Sequence, residues 1–181
     1  MSDTTWIALL RGINVGGHNK IPMAELREYC EAAGWRAVQS YIQSGNLVFS
    51  ADSAVLDLET KLERLIAEHF KLEIPVIVRS TAQWAGYLHD NPFPAASRES
   101  PNLVTLALSK SAPLPGVADA LRERARDGER VQLIGEVLWI HSPAGSARSR
   151  LTPSVLDRAS GSPVTARNWR TVQKIAQLMA T

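Results

Sequence analysis

The feature that most constrains the fold is a pair of short strands separated by two turn residues. Residues 37–43 alternate between two faces, Ser44 and Gly45 are turn formers, and residues 46–50 continue as a second strand. Strands joined so closely run antiparallel, because parallel neighbours need a crossover of about a dozen residues or more. This hairpin therefore excludes a Rossmann-type unit in the first part of the chain.

Elements on either side of the hairpin complete a known order. Residues 5–11 are an apolar run typical of a strand, and Pro22 suits the first turn of a helix. Residues 55–70 carry apolar side chains at helical spacing, and residues 74–79 form a β-branched run. The order β-α-β-β-α-β is that of the split βαβ, or ferredoxin-like, arrangement. We therefore predict an α+β fold with a ferredoxin-like subdomain over residues 1–80.

The second half of the chain is a weaker copy of the first. Ser80 and Gln83 stand in capping-box positions for one helix, and Asn168 is a start signal for the last helix. That last helix stands where the first half has a strand. We therefore predict a helix and linker over residues 81–101, followed by a related but incomplete α+β subdomain over residues 102–181 with basic C-terminal helices. Its other predicted elements are a loop at 91–101, a strand at 103–108, a helix at 117–126, a hairpin at 130–134 and 137–141, and a helix from Thr152-Pro153 to about residue 160.

Composition favours a folded protein without a membrane segment. Of the 181 residues, 45% are hydrophobic, which is enough for a core, and the net charge is +2. From residue 142 to the end, six basic residues stand against one acidic residue, a balance compatible either with a solvated helix face or with anion binding. No apolar run approaches the ~20 residues of a membrane span, and no signal peptide is apparent. We therefore expect a cytoplasmic protein.

Several common chemistries lack the residues they need. Cys30 is the single cysteine, so an internal disulfide and a cysteine-based zinc site are excluded, and its place in a helix indicates a core residue. No two of the four histidines have metal-ligand spacing on one helix, and the G-x-S-x-G motif of hydrolases is absent. We expect neither a metal nor a cofactor.

A glycine-rich segment between the first strand and the first helix is the candidate ligand site. Residues 11–20 read Arg-Gly-Ile-Asn-Val-Gly-Gly-His-Asn-Lys, so three glycines lie among an arginine, a histidine and a lysine. Glycines let the backbone come close to a ligand, and the start of a helix favours an anion such as phosphate. The segment matches neither the dinucleotide fingerprint nor the Walker motif. It therefore indicates a generic anion site rather than a defined nucleotide site.

Topology brings a second polar segment to the same place. In a split βαβ unit the end of the first strand and the following hairpin turn lie at one edge of the sheet. The turn residues are there either as ligands or because such residues favour turns. Basic segments at 148–152 and 165–171 add candidates, and Trp169 is either a stacking platform or part of the core. The predicted ligand-binding residues are Arg11, Gly12, Asn14, Gly16, Gly17, His18, Lys20, Gln43, Ser44, Asn46, Arg167 and Asn168.

Three motifs of this chain are similar to those of one bacterial family. They read Ala-Leu-Leu-Arg-Gly-Ile-Asn-Val-Gly-Gly at 8–17, Tyr-Ile-Gln-Ser-Gly-Asn-Leu-Val-Phe at 41–49 and Thr-Ala-Arg-Asn-Trp at 165–169. Over essentially its whole length the chain resembles the domain of unknown function 1697 family, whose members often carry Arg-Ser-Lys-Leu where this chain has Arg-Ser-Arg-Leu at 148–151. The resemblance implies a compact α+β protein with ferredoxin-like halves, and it implies no activity. The positions that match are Arg11, Gly12, Asn14, Gly16, Gly17, Gln43, Ser44, Gly45, Asn46, Arg167, Asn168 and Trp169.

Three functions are compatible with these residues, and the oligomeric state is left open. The first is binding of a phosphate-bearing ligand, either a nucleotide-like molecule or a nucleic-acid strand, although Tyr41 and Phe49 are the only hairpin aromatics that could stack on bases. The second is a small enzyme for a phosphorylated or carboxylated metabolite, with His18 or His141 as the acid–base group and Arg11 as the substrate clamp. The third is a protein-interaction module whose surface lies around the second hairpin.

Overall fold

The protein consists of two compact units. The computed structural model describes residues 4–52 and 54–180. One unit comprises the chain up to Gly86 together with the residues from Lys174 onward, and the other comprises Tyr87–Gln173. Each unit contains one four-stranded antiparallel sheet. The two-subdomain α+β architecture predicted from the sequence is confirmed.

The first unit has the predicted order of elements. Its sheet order is β2-β3-β1-β4, so β1 and β2 run parallel with the antiparallel strand β3 between them. This is the ferredoxin-like arrangement that the short hairpin indicates. The elements are β1 (Thr4–Leu10), α1 (Met23–Ala32), β2 (Arg36–Tyr41), β3 (Asn46–Ala51), α2 (Val55–Phe70) and β4 (Val76–Ser80).

The core of the first unit lies between one face of this sheet and the two helices. Buried side chains recur at helical spacing, as Leu58, Leu62 and Ile66 do along α2. Trp35 stacks on Phe49 with ring centroids 4.1 Å apart. Cys30 is fully buried in this core, and burial raises the pKa of its thiol to about 12. The prediction that Cys30 is a core residue is therefore confirmed.

The second unit repeats the first and is complete. Its sheet order is β6-β7-β5-β8, which matches the first sheet strand for strand. The predicted incompleteness is wrong, because β8 fills the fourth position and leads directly into the last helix, α7 (Trp169–Met179). Because no loop separates β8 from α7, Asn168 was interpreted only as the start of the helix, and the strand before it was not predicted. The elements are α3 (Thr81–His89), α4 (Pro94–Glu99), β5 (Val104–Ser109), α5 (Val117–Arg124), β6 (Arg130–Ile134), β7 (Val137–His141), α6 (Pro153–Ser160) and β8 (Val164–Asn168), of which α3 straddles the boundary between the units.

The connection between the two units differs in part from expectation. The capping box at the start of α3 is confirmed, because Ser80 N–H donates to Gln83 Oε1 (2.9 Å) and Gln83 N–H donates to Ser80 Oγ (3.2 Å). The loop predicted at 91–101 is wrong, since it contains α4 and a short 3-10 turn, Pro101–Leu103. Pro94 misled the prediction because proline breaks helix interiors but is well suited to a first turn.

One edge strand of each sheet, β4 in the first unit and β8 in the second, donates backbone N–H groups to carboxylates from a helix of the same unit. Along β4, Val78 N–H donates to Glu59 Oε1 (2.8 Å) and Val76 N–H donates to Glu63 Oε1 (2.9 Å). Along β8, Val164 N–H donates to Asp157 Oδ1 (2.8 Å). Among the described residues each of these strands pairs with a single neighbour, so the carboxylates occupy N–H groups that an added strand would otherwise bind.

No helix in the described part of the chain is both long enough and apolar enough to cross a membrane. The cytoplasmic location stays a prediction.

Candidate functional site

The segment between β1 and α1, residues 11–21, folds into a turn that is held by its own hydrogen bonds; we call it the glycine loop. Asn14 N–H donates to Asn19 O (3.1 Å), and Asn19 Nδ2 donates back to Gly12 O (3.0 Å). His18 N–H donates to Val15 O (3.0 Å). The path requires positive φ at Gly12, Asn14, Gly16, Gly17 and Asn19. Glycine and asparagine adopt this left-handed conformation at the least cost, which explains the composition of the loop.

Asn14 fastens the glycine loop to the hairpin. Its Nδ2 donates to Ile21 O (2.9 Å) and to Gln43 O (2.7 Å), while its Oδ1 accepts from Ile21 N–H (2.9 Å). One side chain thus joins both the end of the loop and the tip of the hairpin between β2 and β3. The structure therefore brings Asn14 and Gln43 together, at the sheet edge where the strand order places them.

Ser44 lies in the hairpin turn, and Asn46 is the first residue of β3. Asn46 is buried, and its Nδ2 donates to Tyr41 O (2.9 Å) and to Ser44 Oγ (3.3 Å). Gly45 between them has φ 86°, and its carbonyl accepts from Leu10 N–H (2.8 Å). These hydrogen bonds shape the turn and hold the hairpin in position against the end of β1.

Two exposed apolar side chains at these turns were not identified from the sequence as candidates. Ile42 has φ 50°, a conformation that strains a β-branched residue, and it is 49% exposed. Val15 in the glycine loop is 62% exposed. The alternating pattern of residues 37–43 assigned Ile42 to a strand face, and nothing in that pattern reveals a left-handed backbone. Such strain is frequent at functional sites.

A cleft of about 380 Å³ lies where the glycine loop meets the hairpin and the start of α1. It is lined by Asn14, Gly17, Lys20, Ile21, Pro22 and Gln43. Pro22 at the start of α1 makes no side-chain capping bond, so within residues 4–52 and 54–180 the N–H groups of the first turn have no side-chain cap. The side chain of Lys20 is exposed at this cleft. Positive charge from a lysine and from a helix start therefore meets in one cleft.

The remaining candidates of the first unit flank this cleft. His18 is exposed in the glycine loop, and in the described part of the chain its ring has no hydrogen-bonding partner. Arg11 is half-buried where β1 ends, and its backbone N–H donates to Pro75 O (3.1 Å). Gly12 and Gly16 are exposed in the loop.

The candidates from the second unit have structural contacts of their own. Arg167 is 9% exposed and donates to Thr165 Oγ1 (2.7 Å) and Ala166 O (2.9 Å), and burial lowers the pKa of its guanidinium to about 10. Asn168 Oδ1 accepts from Thr171 N–H (2.9 Å), so Asn168 caps α7 as predicted. Trp169 is buried, with its ring centroid 5.7 Å from that of Trp139, which favours the core interpretation.

His141 is held as a neutral imidazole. Its Nδ1 lies 3.0 Å from Arg130 Nη2, a donor, so Nδ1 is the acceptor and the proton is on Nε2. Burial, and to a lesser degree the charge of Arg130, lower the pKa of His141. The Arg130 guanidinium also lies 4.8 Å from the centroid of the Phe93 ring. Among the described residues, no group of three His, Cys, Asp or Glu side chains is arranged to hold a metal ion.

Comparisons with known proteins agree with this fold and identify no activity. A family model described as "Protein of unknown function (DUF1697)" matches residues 4–139. The chain is similar to a solved structure of the conserved bacterial protein SP0830 from Streptococcus pneumoniae, with 26% identity, a TM-score of 0.75, and coverage of 98% of this chain and 99% of that one. None of the curated proteins compared with the chain matches it. Any function must therefore be inferred from the site itself.

Proposed function

The chain belongs to the domain of unknown function 1697 family, and from the geometry of its own residues we propose that it binds a phosphate-bearing ligand in the cleft between the glycine loop and the hairpin. The observation that carries the proposal is the meeting of three groups at one cleft: Lys20, the uncapped start of α1, and Gly17. The hydrogen bonds from Asn14 to Ile21 and Gln43 fix the glycine loop against the hairpin, so the cleft is formed without a ligand. A site fixed in advance loses little conformational entropy on binding.

Each group contributes a known attraction for an anion. A helix start carries about half a positive charge and favours an anion by roughly 0.3–1 kcal/mol at an exposed site. Lys20 adds a full charge and three donors. Glycine at position 17 lets backbone N–H groups approach an oxygen closely. Glu25 in the first turn of α1 acts in the opposite direction, since its carboxylate competes with a bound anion for the same positive field.

A small nucleotide-like molecule fits this cleft better than a long strand does. The volume of about 380 Å³ lies at the lower end of small-molecule sites. Val15 and Ile42 provide exposed apolar surface on the two turns, where the non-phosphate part of such a ligand can pack. A nucleic-acid strand would show a steep fall of affinity with salt, because each neutralised phosphate releases counterions.

A protein-interaction module is the second candidate, and the same two side chains favour it. Exposed Val15 and a strained, exposed Ile42 at neighbouring turns resemble apolar anchors that a partner would cover. In an enzyme, His18 would be the acid–base group at this site.

The test is thermal unfolding with inorganic phosphate, adenosine monophosphate, a sugar phosphate, and a short single-stranded oligonucleotide, at low and at moderate salt. A ligand present at about 100 times its dissociation constant adds roughly 2.7 kcal/mol. For a chain of this length that raises the unfolding midpoint by about 5–10 °C. Lys20→Ala is expected to abolish the rise.

Lys174→Ala is the matched control, because it removes the same charge from an exposed residue of α7. The rise should persist in this variant. If no phosphate compound stabilises the wild-type protein, or if both variants lose the response equally, phosphate binding at the cleft is wrong. Recovery of a protein partner that Ile42→Asp no longer binds would then favour the interaction module.

A further inference from the structure

The second unit has a pocket of its own, at the end of its sheet where α6 begins. Thr105 pairs with Ile140 on one side and with Asn168 on the other, so these three residues form one row across β7, β5 and β8. The row forms part of the wall of a pocket of about 370 Å³. Leu151 and Leu156 contribute apolar surface to the same pocket. It thus combines an apolar floor with polar groups at one end of the helix-covered face.

The segment between β7 and α6, which lines this pocket, is much longer than the corresponding segment of the first unit. Between β3 and α2 the chain uses three residues, 52–54, whereas between the corresponding elements β7 and α6 it uses eleven, 142–152. The two units otherwise share one sheet order. A long connection inserted into a repeated fold is where a binding function is commonly found.

The polar groups of the pocket have fixed hydrogen-bonding roles. Ser142 Oγ and Ser149 Oγ both donate to Glu129 Oε1, at 3.0 Å and 2.5 Å. Ser149 Oγ also accepts from Leu151 N–H (3.0 Å). Since a hydroxyl has one proton and two lone pairs, each serine is left with acceptor capacity only.

Asn168 has the opposite role. Its Oδ1 is occupied by Thr171 N–H at the start of α7, so its amide Nδ2 is the group left to face a ligand, as a donor. The pocket therefore presents acceptors on the serine side and a donor on the asparagine side. A phosphate cannot use the two serines, because their protons are already donated to a carboxylate whose charge repels an anion.

We propose that this pocket binds a neutral ring that bears neighbouring hydroxyl groups, as in a monosaccharide or in the ribose of a nucleoside. Hydroxyls of the ring donate to Ser142 and Ser149 and accept from Asn168. The apolar face of the ring lies on Ile140, Leu151 and Leu156. Arg148 and Arg150, in the same connection, are exposed and do not line the pocket. This site is separate in chemistry from the anion cleft of the first unit and does not depend on it.

The test is ligand-observed saturation-transfer NMR on the full chain with glucose, ribose, adenosine and uridine, each at about 10 mM. Asn168→Asp keeps an oxygen that caps α7 but removes the amide donor. Ala166→Leu places three more carbons at a residue that lines the pocket. Both variants are first checked for an unfolding midpoint within about 2 °C of wild type. Lys174→Ala, at an exposed residue that does not line the pocket, serves as the control.

The expected result is saturation transfer to at least one of the four compounds. Binding should be at least tenfold weaker in Asn168→Asp and Ala166→Leu, and unchanged in Lys174→Ala. A response to glucose and ribose alone identifies the sugar ring as sufficient, and a response confined to the nucleosides identifies the base as necessary. If none of the four responds, or if binding survives in both pocket variants, the proposal is overturned. Where a variant fails the folding check, Ser142→Ala, which removes one acceptor, replaces it.

Discussion

Gly45 is the position where a single methyl group should do the most damage to the candidate site. A Cβ atom at this residue would lie 2.7 Å from Leu10 Cβ and 2.9 Å from Ile13 Cδ1. Both neighbours are fully buried, so neither can move aside without disturbing the core. The backbone there also has φ 86°, which disfavours any residue with a side chain.

The cost of Gly45→Ala has two parts. The left-handed conformation costs about 1–2 kcal/mol for alanine, and forcing a methyl group into a packed region costs about 1–3 kcal/mol more. The sum is about 2–5 kcal/mol, which lowers the unfolding midpoint of a chain of this length by roughly 5–15 °C. Because Gly45 O accepts from Leu10 N–H, the displacement also moves the hairpin tip away from Asn14.

Circular dichroism melts of wild type, Gly45→Ala and Gly135→Ala make the measurement. Gly135 lies in the hairpin between β6 and β7, has φ 59°, and has open space where a Cβ would be. It therefore shares the conformational cost without the steric one, and its midpoint should fall by only a few degrees. Equal losses in the two variants would refute the steric argument, and a loss below about 2 °C in Gly45→Ala would refute both parts.

Three further predictions concern charge and burial. Glu25→Gln should tighten binding of any phosphate compound found at the glycine-loop cleft by about 2–5-fold, because it removes a competing carboxylate from the first turn of α1; isothermal titration measures this, and weaker binding would contradict the placement of the ligand. Burial and the charge of Arg130 lower the pKa of His141, so protonation of this histidine favours the unfolded chain. The stability that comes from keeping His141 neutral is therefore complete above about pH 6.5 and declines as the pH falls below it. His141→Gln should accordingly lose less stability than wild type between about pH 7.5 and pH 5 in urea titrations, and identical losses would show that His141 is not responsible. Cys30, with its thiol pKa raised to about 12, should react with a thiol reagent only as fast as the protein unfolds; rapid labelling of the native protein would mean that α1 opens locally.

The fold of the first unit could be predicted because its signals are local and agree with one another. The hairpin, the helix start at Pro22 and the apolar spacing of α2 each point to the same strand order. β8 could not be predicted in this way. Arg167 places a charge within that strand, and its burial is a tertiary effect that no local pattern reveals.

The candidate site shows the same division. Strand order alone places Asn14 beside Gln43, since both follow strands that end at one edge of the sheet. Two other features depend on how the turns fit together. Asn14 uses both ends of its amide to join two segments, and Ile42 has a left-handed backbone. The role of Glu129 is likewise invisible in sequence, because its two serine partners are 13 and 20 residues away.

The carboxylates along β4 and β8 affect how a chain with two similar units avoids pairing the wrong strands as it folds. Two units with the same strand order present similar edges, and a nascent chain can exchange a strand of one for that of the other. In each unit the helix that supplies the carboxylate precedes the edge strand in the chain, as Glu59 precedes Val78 and Asp157 precedes Val164. The N–H groups of Val76 and Val78 at the β4 edge are therefore occupied as soon as β4 forms, before the ribosome has delivered β5. Because each carboxylate precedes its edge strand in the chain, each unit carries its own protection against strand exchange with the other.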